Sequence, residues 1–258
     1  MIKNVLIGSD PEFFISDGNR FIPSIGLIPG DKTEPFSVGN GFYIQKDNVL
    51  IEGNIPPAKT KEDFVYNMKE LKSLMNDYLR IVHPVLHIVS GDSAEYNMKE
   101  LKQYPEAMQF GCSAYSNAWT NTTTKAQSLA HSSWRTAGMH IHYGYDLQER
   151  FNKLEVNKLI VKAFDFFVTT QARKIYNDKI RSYYYGELGS YRNCSYGLEA
   201  RSLGGYFTKD EFLPKVYDGA IQAIEYVNEL LITNQTESLE KTMSVNEIQY
   251  DRTPIFIF

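Results

Sequence analysis

The stretch AGMHIHYG, residues 137–144, places two histidines at alternate positions between two glycines. Side chains two residues apart on a β-strand point to the same face of the sheet. His140 and His142 are therefore predicted to share one face, with the intervening apolar residues on the other. Histidine is the commonest metal ligand, so a zinc site is the first interpretation of this pair.

Three further segments alternate in the same way and offer polar pairs backed by apolar residues. They are SDPEFFI with Asp10 and Glu12, VLIEGN with Glu52 and Asn54, and YGLEARSL with Glu199 and Arg201. If these strands are neighbours in one sheet, spaced about 4.8 Å apart, the polar side chains meet on one face. A solvated face of an antiparallel sheet is the alternative reading of any single pair.

The residue types on this expected face favour a site for divalent cations. Several carboxylates facing one another repel unless cations lie between them. Carboxylate oxygens favour Mg²⁺ or Mn²⁺ over zinc. Because Mg²⁺ is usually held by a few carboxylates together with substrate phosphates, the pattern also indicates a nucleotide.

Three arginines close in sequence support a phosphate-binding role. Arg181, Arg192 and Arg201 lie within the segment RSYYYGELGSYRNCSYGLEARSL. Guanidinium groups bind phosphate oxygens in bidentate fashion and stabilise charge on a transferred phosphoryl group. Surface salt bridging is the alternative for Arg181 and Arg192. Neither GxxxxGK[ST] nor a GxGxxG opening a helix occurs in the chain.

The length and composition predict one globular domain over residues 1–258. The chain is 43% hydrophobic and 22% charged, and no linker, repeat or low-complexity block divides it. A net charge of −4 gives no basic excess for a nucleic-acid partner. Two isolated cysteines, no signal-peptide pattern and no run of about 18 apolar residues predict a cytoplasmic protein without membrane association. The oligomeric state is left open.

Hydrophobic periodicity predicts an α+β fold, a largely antiparallel curved sheet with amphipathic helices on one face. A long Asn/Ser/Thr-rich segment, Ser113–Ser133, is predicted to be an extended loop. Three helical stripes are expected, over Lys61–Val82, Val156–Thr170 and Val216–Leu230. The expected strands are KNVLIG, PEFFIS, GFYIQ, NVLIEGN, VLHIVS, GMHIHYG and YGLEARSL.

The motifs in this order resemble those of the glutamine synthetase and glutamate–cysteine ligase superfamily of carboxylate–amine ligases. The short, phage-type amidoligase branch is the most similar. The resemblance runs through most of the chain: GSDPEFF, IEGNIPP, FGC with a nearby NAW, RTAGMHIHYG, YGELGSYR and YGLEARSL. It implies a glutamine synthetase-like catalytic domain, located in the host cytoplasm if phage-encoded. The implied reaction joins a small-molecule or peptide carboxylate to an amine through an acyl phosphate, with ATP and Mg²⁺ (or Mn²⁺).

The resemblance also implies roles for individual residues. Glu52, Arg192 and Arg201 are expected to be catalytic. His142, Arg181, Arg192 and Arg201 are expected near the nucleotide phosphates. Arg135 and Asn54 are expected to contact substrate. The implied metal ligands are Asp10, Glu12, Glu52, His140 and Glu199.

The chain departs from the family pattern in its substrate-reading segments. Glu187 stands where we expect a lysine after Tyr185-Gly186, and Ser113 and Tyr115 stand where we expect acids. Two alternatives therefore remain. One is a zinc-dependent hydrolase built on His140 and His142, and the other is a nucleotide-binding relative without catalysis.

Overall fold

The computed structural model describes residues 1–109, 115–124 and 132–233. Within these residues the α-helices are α1 (Lys61–Val82), α2 (Met98–Leu101), α3 (Lys153–Phe164), α4 (Thr170–Ile175), α5 (Lys179–Tyr184) and α6 (Leu213–Thr233). The strands are β1 (Ile2–Ser16), β2 (Phe21–Ile22), β3 (Phe36–Gly39), β4 (Phe42–Asp47), β5 (Leu50–Asn54), β6 (His87–Val89), β7 (Ser93–Glu95), β8 (Tyr115–Asn117), β9 (Thr123–Thr124), β10 (Trp134–Thr136), β11 (Met139–Leu147), β12 (Ser190–Asn193) and β13 (Gly197–Ala200).

A large antiparallel sheet forms the centre of the structure. Its strands follow the order β3-β4-β5-β1-β11-β13-β12-β8-β9. The short strands β2 and β6 pair with the C-terminal end of β1. Strands β7 and β10 form a separate antiparallel pair. The predicted combination of helices with a largely antiparallel sheet is confirmed, whereas its glutamine synthetase-like form stays a prediction.

Helices α1, α3 and α6 bury their apolar stripes against one face of this sheet. Helix α1 begins after Thr60, whose side chain accepts a hydrogen bond from the Asp63 backbone N–H and so caps the helix. The stripe enters the same core as the apolar positions of β1, β5, β11 and β13. The core residues from these elements include Phe13, Ile51, Phe64, Met68, Leu71, Met75, Ile141, Ile160, Leu198, Ala220 and Val227.

Three sequence predictions need correction. KNVLIG and PEFFIS are one continuous strand, β1, because Ser9 and Asp10 between them continue the pairing with β11. The second helical stripe is interrupted by a π-helical turn, Asp165–Thr169, between α3 and α4. The segment expected to be an open loop contains a short hairpin, β8–β9, that pairs with β12. Residues 110–114 and 125–131 of that region lie outside the described residues.

No helix among the described residues is both long and apolar enough to cross a membrane. Cys112 lies outside the described part of the chain. Cys194 is half-buried and is a free thiol.

Candidate functional site

The four strands with alternating polar pairs are adjacent, in the order β5-β1-β11-β13. Residues directly opposite each other in an antiparallel pair point to the same face. The register therefore brings the polar pairs onto one face, opposite the helix-packed face. The opposed pairs are Glu12 with Glu52, Asp10 with His140, and His142 with Glu199.

Asp10 lies between the two histidines. Its Oδ1 is 3.2 Å from Nδ1 of His140 and 2.9 Å from Nε2 of His142. Burial would raise the pKa of Asp10, but the nearby His142 and His140 outweigh it and hold the pKa well below its usual range. Asp10 in turn raises the pKa of His142 against the effect of burial. An ionised carboxylate thus faces both rings.

Two groups of side chains on this face could each hold a cation. One consists of Asp10, His140 and Glu199, and the other of Glu12, Glu52 and His140. Within each group the ligand atoms lie within 4.8 Å of one another. His140 belongs to both groups and is 1% exposed; its Nδ1 lies 3.2 Å from Asp10 and 3.4 Å from Glu199, whereas its Nε2 has no hydrogen-bond partner. Because buried polar atoms normally have partners, the unpartnered Nε2 fits a role as a ligand.

Glu12 and Glu52 form the acidic wall of the second group. The backbone N–H of Gly138 donates to Oε2 of Glu12 at 2.6 Å, and Nε2 of Gln45 donates to Oε2 of Glu52 at 2.9 Å. Burial raises the pKa of Glu12 above its ordinary value. Burial and repulsion from Asp10 raise the pKa of Glu52 by more. The protein therefore holds two buried acids whose negative charge a cation would stabilise.

Arg192 and Arg201 each contact a different oxygen of Glu199. Nη1 of Arg192 lies 2.9 Å from Oε2 of Glu199, and Arg201 binds Oε1 of the same carboxylate. Arg201 also donates to the Tyr185 hydroxyl. Glu199 and Arg201 are buried, whereas the side chain of Arg192 is 38% exposed and lines the open space above the sheet.

An open cavity of about 630 Å³ covers this face. It is large enough for a nucleotide, since ligand pockets of about 300–1,000 Å³ are typical of small-molecule sites. Asn54, a predicted substrate contact, lies in its wall together with His142 and Arg192. Nδ1 of His142 is in hydrogen-bonding contact with the hydroxyl of Tyr196, another wall residue.

The other two predicted arginines lie away from this cavity. Arg135 is buried on β10, where it donates to the backbone oxygens of Ser132, Trp134 and Ala107, and it lines a smaller adjoining cavity. Arg181 is buried behind Tyr185, donates to the carbonyl of Leu203, and does not line the 630 Å³ cavity. Among the predicted phosphate contacts, His142, Arg192 and Arg201 are brought together and Arg181 is not.

Lys32 and Gln45 are site residues that sequence reasoning missed. The ammonium of Lys32 lies 3.0 Å from Asp47 in the wall of the cavity. Burial would lower the pKa of Lys32, but Asp47, Glu52 and Glu12 raise it. The alternation of residues along FYIQ could have identified Gln45. No sequence pattern could have identified Lys32, a single lysine in the loop between β2 and β3.

No protein-family model matches the chain, and no curated protein matches it in sequence.

Proposed function

We propose that the protein is an ATP- and Mg²⁺-dependent ligase that forms an amide bond between a carboxylate and an amine. The observation that carries the proposal is the pair of cation-binding groups that share His140, set in an open cavity beside two arginines. Such a face suits a polyphosphate, because its own carboxylates and the phosphates both need positive charge between them.

The described residues fit the expected metal ions. Asp10, Glu199, Glu12, Glu52 and His140 would hold them, and the buried, unpartnered Nε2 of His140 supports this assignment. Mg²⁺ would neutralise charge between the carboxylates and the nucleotide and polarise the transferred phosphoryl group.

The reaction that we assign has two balanced steps. A carboxylate oxygen attacks the γ-phosphorus, the bond from that phosphorus to the bridging oxygen breaks, and ADP leaves with the electron pair. The amine nitrogen then attacks the acyl carbon, and the carbon–oxygen bond to phosphate breaks. One N–H proton passes from the amine nitrogen to solvent.

The protein side chains would contribute mainly position and charge. Arg192 and Arg201 lie where they can bind phosphate oxygens while remaining close to Glu199. His142, held by Asp10 and Tyr196, presents a ring to the same cavity. These contacts favour in-line transfer by holding the reacting groups in place.

The zinc hydrolase alternative needs both histidines on one cation. Among the described residues, the groups with metal-binding geometry contain His140 but not His142. His142 instead faces Asp10 and Tyr196. This arrangement favours separate roles for the two rings.

Phosphate release with MgATP, measured across pools of carboxylates and amines, tests the proposal. We expect phosphate release that requires both a carboxylate and an amine, and a new amide detected by mass spectrometry. The rate of phosphate release should fall at least about 100-fold in Glu12→Gln and in Glu199→Gln. Glu211→Gln, which changes an exposed acid in the loop before α6, is the matched control. Unchanged turnover in both site variants would contradict the proposal. MgATP binding without turnover on any pool would instead support the non-catalytic relative.

A further inference from the structure

A second, smaller cavity adjoins the 630 Å³ cavity. Measured as space open to the centres of water molecules, it has a volume of about 80 Å³. Its wall combines the buried charged residues Glu12, Arg135 and Arg201 with the apolar residues Val49 and Leu50. We call it the inner chamber and the larger cavity the outer chamber.

Two positively charged side chains lie at the junction of the chambers. Lys32 and Arg201 line both, and among the described residues no other side chain does so. The candidate cation ligand Glu12 lines the inner chamber, and its partner Glu52 lines the outer one. A group at this junction would thus lie beside the candidate cation site and next to two positive side chains, which already pair with Asp47 and Glu199.

This arrangement suits two anions that must approach each other. A carboxylate and a γ-phosphate repel, and positive charge between them lowers the cost of contact. The outer chamber has the size for a nucleotide, and the inner chamber does not. The inner chamber is therefore the place for the carboxylate.

The volume of the inner chamber limits what can enter. One water needs about 10–15 Å³ in this measure, so the chamber holds roughly five to eight non-hydrogen atoms. That is the size of a small amino acid or short carboxylic acid. Val49 and Leu50 would contact the carbon skeleton of such a molecule.

Resting on the ligase function proposed above, we infer that the inner chamber binds a small carboxylic acid, of amino-acid size, with its carboxylate between Lys32 and Arg201. In this role Lys32 contacts the reacting carboxylate.

The test is acid-dependent phosphate release with MgATP and an amine pool, across acetate, glycine, alanine, serine, glutamate, Gly-Gly and Ala-Ala. We expect kcat/KM to peak among glycine, alanine and serine and to fall at least tenfold for the dipeptides. Thr136→Leu, which adds bulk to the chamber wall, should raise KM for the best acid at least tenfold while KM for ATP stays within twofold. Thr136→Val keeps the side-chain shape and is the matched control, and thermal unfolding verifies that each variant folds.

The variant Lys32→Gln provides an independent test. It should lower kcat/KM for the acid at least tenfold, with Lys32→Arg restoring part of the loss. Release that is equal for dipeptides, or indifferent to Thr136→Leu and Lys32→Gln, would overturn the chamber assignment and leave the ligase function standing. Absence of acid-dependent ADP formation with any carboxylate would overturn the ligase function, and the chamber assignment with it.

Discussion

His140 and His142 lie two residues apart on one strand face, yet their surroundings differ. His140 is almost fully buried and belongs to both groups of side chains that could hold a cation. The side chain of His142 is 21% exposed and faces Asp10 and the Tyr196 hydroxyl. We therefore propose separate roles for the two rings, with His140 towards metal and His142 towards phosphate.

We expect His140→Ala to weaken Mn²⁺ binding at least tenfold and His142→Ala to weaken it about threefold or less. The reason is that His140 would supply ligand atoms directly, whereas His142 acts through Asp10. Titration of Mn²⁺ followed by electron paramagnetic resonance measures both variants. Equal losses of metal would contradict the division of roles.

Glu52 is expected to lower the stability of the protein when no cation is bound. In the metal-free protein its buried charge is repelled by Asp10 and Asp47. Glu52→Gln keeps an acceptor for the Gln45 amide and removes that charge. We expect the variant to raise the free energy of unfolding in EDTA by about 1–3 kcal/mol.

The same variant should lose most of the thermal stabilisation that Mn²⁺ gives to the parent protein. Denaturant unfolding in EDTA and thermal unfolding with Mn²⁺ measure the two effects. Glu211→Gln should change neither. A Glu52→Gln protein that is less stable in EDTA, or is stabilised by Mn²⁺ as fully as the parent, would contradict this account.

The sequence predicted the part of the site that lies on strands. Asp10, Glu12 and the histidines could be assigned to one face because a strand repeats every two residues. Lys32 could not, because its position depends on the path of a loop with no such period. Arg181 was predicted near phosphate from its sequence neighbours, but helix α5 directs it to Leu203.

At the scale of elements, the π-helical turn after α3 supports the site from behind the sheet. Its buried Asp165 accepts hydrogen bonds from the Trp119 indole N–H, the Gly189 backbone N–H and the Ser202 hydroxyl. Ser202 follows Arg201 directly, and Gly189 precedes β12, which carries Arg192. One carboxylate thus ties together the segments that bring both arginines to Glu199.

Burial raises the pKa of Asp165 to about 6, above its ordinary value of 3.8. Because the pKa of Asp165 is higher in the folded state than in the unfolded state, the buried carboxyl group favours folding most below pH 4, where it is protonated. This part of the free energy of unfolding is lost as the pH rises through 6. The loss amounts to about 3 kcal/mol. We expect Asp165→Asn to show a smaller fall in unfolding free energy between pH 4 and 7 than the parent does.

Denaturant unfolding at several pH values measures this difference, and identical pH profiles would contradict it. Asp165→Ala is the companion variant. It leaves the Trp119 and Gly189 N–H groups without their acceptor and creates a cavity, so it should lower the free energy of unfolding by about 2–4 kcal/mol at every pH.

Helix α1 packs closely on β5 at Gly53, where an added side chain would have to displace two buried side chains of the helix. A Cβ there would lie 2.4 Å from Cε of Met75 and 2.7 Å from Cδ2 of Leu71. We expect Gly53→Ala to lower the free energy of unfolding by about 1–3 kcal/mol. Gly144→Ala is the control, since its Cβ would meet only ordinary contacts, the nearest at 3.7 Å. Equal stability of the two variants in denaturant would contradict the close packing.

Helix α1 was predicted with its observed bounds because its apolar stripe is unbroken and Thr60 caps its start. The β8–β9 hairpin was missed because its Asn, Ser and Thr residues carry no apolar alternation. Its pairing with β12 supplies the order that its own sequence does not indicate. Tertiary contacts of this kind override local pattern.

On the scale of the whole molecule, one sheet separates two chemical environments. The helix side is an apolar core, and the opposite side gathers carboxylates, imidazoles and guanidinium groups under an open cavity. Strand order brings together residues from positions 10 to 201, so the site forms only when the sheet is complete. Folding and cation binding are therefore expected to be coupled.

The most direct test of the ligase function follows oxygen from the acid to phosphate. The protein is incubated with MgATP, an amine pool and small carboxylic acids labelled with ¹⁸O in the carboxylate, and the released phosphate is analysed by mass spectrometry. An acyl-phosphate intermediate predicts one ¹⁸O atom in each phosphate and a matching amount of amide. Phosphate that carries no ¹⁸O from the acid, or no release of phosphate at all, would contradict the proposed function.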